Sequence, residues 1–124
     1  MKKAVFILIL ASASLIILIF SVYLRFNDGK LHLVFCDVGQ GDAIFIRTPK
    51  GTDILIDGGP DEAVLSCLSS HMPFWDRSID AVILTHPHAD HLTGLVHVIE
   101  RYKVSAFFSE KVDADTEIYK LLSI

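Results

Sequence analysis

No charged residue interrupts the chain from Ala4 to Leu24. Drawn out as a helix rising about 1.5 Å per residue, that stretch reaches about 30 Å, the thickness of a bilayer's hydrocarbon core. It has no polar face, which sets it apart from a helix lying in the membrane interface. Once it is committed to lipid, the rest of a 124-residue chain leaves room for one small domain. Two fates of the stretch compete. Lys2 and Lys3 ahead of apolar residues, with Ala11-Ser12-Ala13 as a small-residue site, fit a cleaved signal peptide. Cleavage there would leave Leu15-Ile16-Ile17-Leu18-Ile19-Phe20 at a new N-terminus, so an uncleaved signal anchor is preferred. The lysines would stay inside and the rest of the chain outside, although Arg25 and Lys30 weaken the charge contrast. The expected organisation is an anchor over 1–25, a linker over 26–30 and a domain over 31–124. The expected location is the cytoplasmic membrane, single-pass, with the soluble part outside.

Charge is divided unevenly along the chain. Lys2, Lys3 and Arg25 flank the apolar stretch, whereas all 15 Asp and Glu lie beyond it. The acidic remainder lacks the clustered Lys and Arg with which nucleic-acid binders grip phosphates. Cys36 and Cys67 each sit in an apolar run and read as two buried thiols rather than a disulfide or a sulfur metal site.

Asn27-Asp28-Gly29-Lys30 has turn composition, and the folded domain is expected to begin at Leu31. Leu31–Asp37, Ala43–Thr48 and Asp53–Asp57 read as three strands joined by glycine-containing turns, an antiparallel meander. Ala63, Val64, Leu65, Leu68 and Met72 make one apolar helical face, with Asp61 as N-cap and an end near Met72-Pro73. Ile79–Leu84 reads as a buried central strand, and a second helix fits Thr93–Tyr102. A strand over Val104–Phe108 and a helix over Asp115–Leu122 complete the order β-β-β-α-β-α-β-α, a mixed α/β sheet with helices on it.

The densest chemistry is His86-Pro87-His88-Ala89-Asp90-His91, just after the predicted central strand. In extended backbone, residues two apart point the same way, so His86 and His88 can converge on one ion while Pro87 keeps His86 out of helical geometry. Imidazole nitrogens favour zinc and tolerate other transition metals; Asp90 adds a hard oxygen, so Asp90 and His91 can serve a second ion. Two neighbouring metals acidify a shared water and polarise a carbonyl or phosphoryl oxygen, which points to hydrolysis. The plainer alternative makes Asp90 the N-cap of the following helix and the histidines loop polars.

Asp57, at a strand end before Gly58-Gly59, can orient a ligand histidine through a hydrogen bond or simply form an Asp-Gly turn. Asp42 and Asp37 carry the same ambiguity. His32, His71 and His97 read as bystanders, and Phe74-Trp75 as core or a hydrophobic lid rather than a substrate platform.

Thr85-His86-Pro87-His88-Ala89-Asp90-His91 resembles the HxHxDH motif of the metallo-β-lactamase superfamily. Together with Asp37-Val38-Gly39-Gln40-Gly41-Asp42-Ala43-Ile44 and Ile54-Leu55-Ile56-Asp57-Gly58-Gly59, it is similar to the hydrolase domain of ComEC-type competence proteins. The resemblance spans about Leu31 to Phe108. It implies the N-terminal half of an αββα sandwich and two divalent metal ions, zinc first among them. His86 and His88 would hold the first ion, Asp90 and His91 the second. Asp90 would also orient the attacking water as the catalytic residue, and Asp57 would support the ligands. It further implies a later histidine, a bridging aspartate and a final histidine from the second half of the domain, a segment expected to lie beyond Ile124. The expectation is therefore a chain that needs its C-terminal half or a completing chain.

Three functions follow from these readings. The first is a membrane-anchored hydrolase of an ester-like or phosphodiester bond, with nucleic acid as substrate by resemblance only. The second is a non-catalytic membrane-anchored module that binds a metal or a partner. A β-lactamase proper is weaker, because one fold hosts many reactions.

Overall fold

The computed structural model describes residues 1–110; the helix expected over 115–122 lies outside them. Helix α1 (Lys2–Phe26) takes up the whole uncharged stretch, buries none of its residues, and is long and apolar enough to cross a membrane. After the turn at Asn27–Lys30, strands β1 (His32–Phe35), β2 (Ile44–Arg47) and β3 (Asp53–Ile56) form the expected antiparallel meander. Helix α2 (Ala63–His71) then crosses over. The capping position falls to Glu62 rather than the expected Asp61, whose carboxylate still accepts the Ala63 N–H at 2.8 Å.

The expected strand over Ile79–Leu84 is broken in two, β4 (Ser78–Ile79) and β5 (Ala81–Leu84). Asp80 is the reason. Its N–H bonds the Asp53 carbonyl and its carboxylate takes the Asp53 N–H, so the residue turns toward the start of β3. Helix α3 (Ala89–Arg101) starts four residues before the expected Thr93 and draws Asp90 and His91 into its first turn. Its N-cap is His88, which corrects the alternative that gave Asp90 that position. The final expected strand is likewise divided, into β6 (Lys103–Val104), paired with β4, and β7 (Phe107–Ser109).

The main sheet runs β1-β2-β3-β5-β7, antiparallel up to β3 and parallel beyond it. Val34, Phe45, Leu55, Val82 and Phe107 stand opposite one another across it. Because side chains alternate along a strand, this row lies on one face. There Phe45, Leu55 and Val82 are fully buried with Val64 and Leu68 of α2 and Leu95 and Val98 of α3. The opposite face carries Leu33, Ile46, Ile54 and Ala81 in one row and Phe35, Ile44, Ile56, Ile83 and Phe108 in the next. Leu33, Phe35 and Phe108 are exposed there and the other residues of the two rows only half-buried, so the described residues leave an apolar sheet face largely uncovered.

At the end of the covered face, the Arg47 guanidinium forks onto both Asp53 carboxylate oxygens at 2.8 and 2.7 Å and reaches Asp76 at 3.2 Å. Burial pushes the Asp53 carboxyl above its usual range, against the opposing pull of Arg47. The two cysteines are not free thiols. Cys36, just past β1, and Cys67, on α2, form a disulfide with Cα atoms 5.6 Å apart. The helix crosses back over the sheet and brings together residues 31 positions apart, a proximity that local apolar context does not encode.

Candidate functional site

Three chain segments meet at the C-terminal ends of β3 and β5. The loop Thr85–His88 leaves β5, the first turn of α3 follows it, and the Asp57-Gly58-Gly59 turn leaves β3. Backbone hydrogen bonds hold them together: Gly58 N–H to the His91 carbonyl at 2.7 Å, and Gly94 N–H to the Gly59 carbonyl at 2.9 Å. So close an approach of helix to turn requires glycine. A Cβ on Gly94 would fall onto the Gly58 carbonyl oxygen and lie 2.7 Å from the Asp61 oxygen. Gly41 plays the matching part on the other side, where its φ of +126° and its position against the Asp90 carbonyl leave no room for a side chain.

Asp57 is the hub of this arrangement. It is 3% exposed and adopts φ +57°, the one non-glycine residue with positive φ among those described. Its Oδ1 accepts the Thr85 N–H at 2.8 Å; its Oδ2 accepts the Thr85 hydroxyl at 2.6 Å and the His91 Nδ1–H at 2.8 Å. A carboxylate only accepts, so His91 donates from Nδ1, which in the neutral ring leaves Nε2 bare. The same logic reaches His86. The single hydroxyl proton of Thr85 is used on Asp57, so toward His86 Nδ1, 2.9 Å away, the Thr85 oxygen accepts. His86 is therefore also an Nδ1–H tautomer with a free Nε2. One buried carboxylate, directly and through one hydroxyl, fixes the protonation of two histidines in the form that ligates metal.

The imidazoles cluster as the sequence led us to expect. The ring centroids of His86 and His88 lie 4.8 Å apart and those of His86 and His91 3.9 Å apart. The free Nε2 of His91 faces the Asp90 carboxylate at 3.6 Å and that of Asp42 at 3.9 Å. Among the described residues no group of three or more His, Cys, Asp or Glu side chains is arranged so that it could hold a metal ion as it stands. The donor chemistry nevertheless fits a divalent cation: free imidazole nitrogens beside carboxylate oxygens, with the ring tautomers set from behind.

One residue of this cluster, Thr85, was given no role of its own by sequence reasoning, and a second, Asp42, was left open between orienting a histidine and forming a turn. Thr85 precedes the histidine motif and carries no signal of its own. Asp42 was legible only as an Asp after a glycine, and its site position depends on β2 lying beside β3. The remaining histidines stand apart: His32 pairs with Asp28 at 2.8 Å, His71 bonds the Cys67 carbonyl, and His97 lies 3.8 Å from Glu100. Phe74 and Trp75 are not core; they are 79% and 53% exposed.

The family model described as metallo-beta-lactamase superfamily matches residues 36–114, more than half of the chain. The chain belongs to this superfamily. The match begins just past β1 and takes in β2 through α3, the elements that carry Asp57, Thr85 and the histidine motif. Among curated relatives, this superfamily member is similar to exodeoxyribonuclease WalJ of Streptococcus pneumoniae, in strains D39 and R6 alike. The identity is 23% over 83 residues, covering 67% of this chain and 30% of the relative. The chain thus spans about a third of the length of the relatives it matches.

Proposed function

We propose that the chain supplies the metal-holding part of a membrane-anchored, extracytoplasmic hydrolase that cleaves a phosphodiester bond. The observation that carries this reading is the Asp57–Thr85 pair, which holds His86 and His91 by their Nδ1 atoms and leaves their Nε2 atoms for a ligand, beside His88 and Asp90. His86 and His88 would hold one divalent ion, Asp90 and His91 a second, with zinc the best match to the imidazole-rich set. Such ions supply a water acidified toward neutral pH and polarisation of the bond under attack. The chain's own residues do the rest. Asp57 keeps the ligand histidines in register and in the right tautomer. Asp90, whose side chain is partly exposed in the first turn of α3, would orient an attacking water and take its proton.

The phosphodiester rests on similarity to a protein named as an exodeoxyribonuclease. The acidic soluble part weighs against tight nucleic-acid binding by this chain alone. Completion of the domain rests on the uncovered sheet face: rows of Leu, Ile and Phe on a largely open face are suited to a second sheet, from a C-terminal half or a completing chain. The outside location is supported by the Cys36–Cys67 disulfide, since such bonds persist in oxidising compartments.

A second reading is a non-catalytic anchored module binding a metal or a partner, which the short span against the curated relatives, 30% of their length, favours. One experiment separates the two. The chain, alone and joined to a C-terminal half, is loaded with zinc, measured for bound metal, and assayed on single-stranded DNA. Two ions lost on His86→Ala/His88→Ala, with DNA cleavage in the joined form only, support the hydrolase. Motif-dependent metal without cleavage in either form supports the module. No motif-dependent metal in either form refutes the metal site itself.

A further inference from the structure

The turn after α2 places Phe74 and Trp75 at the surface, their rings 4.9 Å apart and edge to face. Trp75 also meets Phe26, the last residue of α1, edge to face at 6.3 Å. An exposed Phe-Trp pair is costly in water, and here it stands at a defined height. The uncharged stretch ends at Leu24 and Arg25 follows, so Phe26 marks the level where the hydrocarbon gives way to headgroups. Phe26, Trp75 and Phe74 therefore form one run of rings that starts at that level. Beside it, between α1 and α2, lies a cleft of about 170 Å³ lined by Arg25, Phe26, His32, Arg47, Ser70 and His71, in which His32 is paired with Asp28 and Arg47 with Asp53 and Asp76. Aromatic rings beside an arginine at the end of an apolar helix, here Arg25 over the Phe26 ring at 5.7 Å, are the composition of a membrane–water interface.

We infer that Phe74 and Trp75 dip into the lipid surface beside the end of α1 and seat the domain on the bilayer, so that it does not swing freely on its linker. The occupant of this patch is lipid, because the patch is continuous with the apolar end of α1. The inference rests on α1 crossing the membrane. A domain seated at a second point would hold the β3/β5 site at a fixed height above the lipid.

Trp75 is the single tryptophan of the chain, so its emission reports this patch alone. The full-length protein is reconstituted into phosphatidylcholine vesicles, and Trp75 fluorescence is quenched either with lipid brominated in its acyl chain or with aqueous iodide. The same vesicles are extracted with alkaline carbonate. Seating predicts that brominated lipid lowers the emission about twofold or more while iodide has little effect, as for residues of an aromatic belt. Free access to iodide with no bromine quenching, in protein that resists carbonate, overturns the seat and leaves the anchor standing. Shielding from both quenchers means that protein covers the patch and also overturns it. Release of the protein by carbonate overturns the span and the seat together.

Discussion

Replacing Asp57 by Asn tests the central claim about the site, because it alters hydrogen-bond sense at nearly constant shape. Asn tolerates the left-handed backbone found here, so the turn should survive. Asp57 accepts three hydrogen bonds, from Thr85 N, Thr85 Oγ1 and His91 Nδ1. An amide keeps one accepting oxygen. With that oxygen on the Thr85 N–H, its NH2 faces Thr85 Oγ1 and His91 Nδ1 and can only donate. His91 must then carry its proton on Nε2, the atom meant for metal, and the released Thr85 hydroxyl can donate to His86. Each lost bond to a charged acceptor is worth about 1.5–3 kcal/mol. Loss of the group behind a ligating histidine lowers metal affinity about 10–100-fold. Long-range proton–nitrogen NMR on metal-free protein in micelles reads the tautomers, and competition with a chromophoric chelator reads zinc affinity. Wild type should show Nδ1–H at both His86 and His91. Asp57→Asn should move His91 to Nε2–H and weaken zinc by the stated factor, whereas Thr85→Val should disturb His86 alone. Unchanged tautomers and unchanged zinc affinity in Asp57→Asn would refute the reasoning.

Further expectations concern the frame around the site. Gly94→Ala should lower stability by about 1–3 kcal/mol, since overpacking against the Gly58 carbonyl outweighs the gain of about 1 kcal/mol in helix propensity; denaturant melts decide the sign. Arg47→Met strands a buried Asp53 carboxylate and should cost about 3–5 kcal/mol in the same melts, with the double variant Arg47→Met/Asp53→Leu recovering most of it. Reduction of Cys36–Cys67 should remove about 3–4 kcal/mol from chain-entropy considerations, seen as a reductant-dependent fall in Tm that Cys36→Ser/Cys67→Ser does not show.

The meander and both helices were legible because each shows its own period: alternation for β1 to β3, one apolar face for α2. The histidine motif was legible because its residue types rarely gather for packing. What escaped the sequence depends on long-range placement. Asp80 looks like a flaw in an apolar run until β3 is alongside to use its carboxylate. The disulfide needs α2 folded back over the end of β1. The early start of α3 at Ala89 also escaped notice, because the apolar periodicity begins only at Leu92, whereas the extended His88 and its carbonyl open the helix sooner. Thr85 became visible only with the Asp57 carboxylate and the His86 ring on either side of its hydroxyl.

Position 57 answers to two independent filters. The left-handed backbone admits chiefly Gly, Asn and Asp, while the task of accepting from two donors on one oxygen and a third on the other calls for a carboxylate, Asp or Glu. Only aspartate passes both. A residue held by one constraint can drift to a neighbour in chemical space; a residue at the intersection of two has no such neighbour, and any change there must be matched by a second change in the backbone or in the histidines it serves.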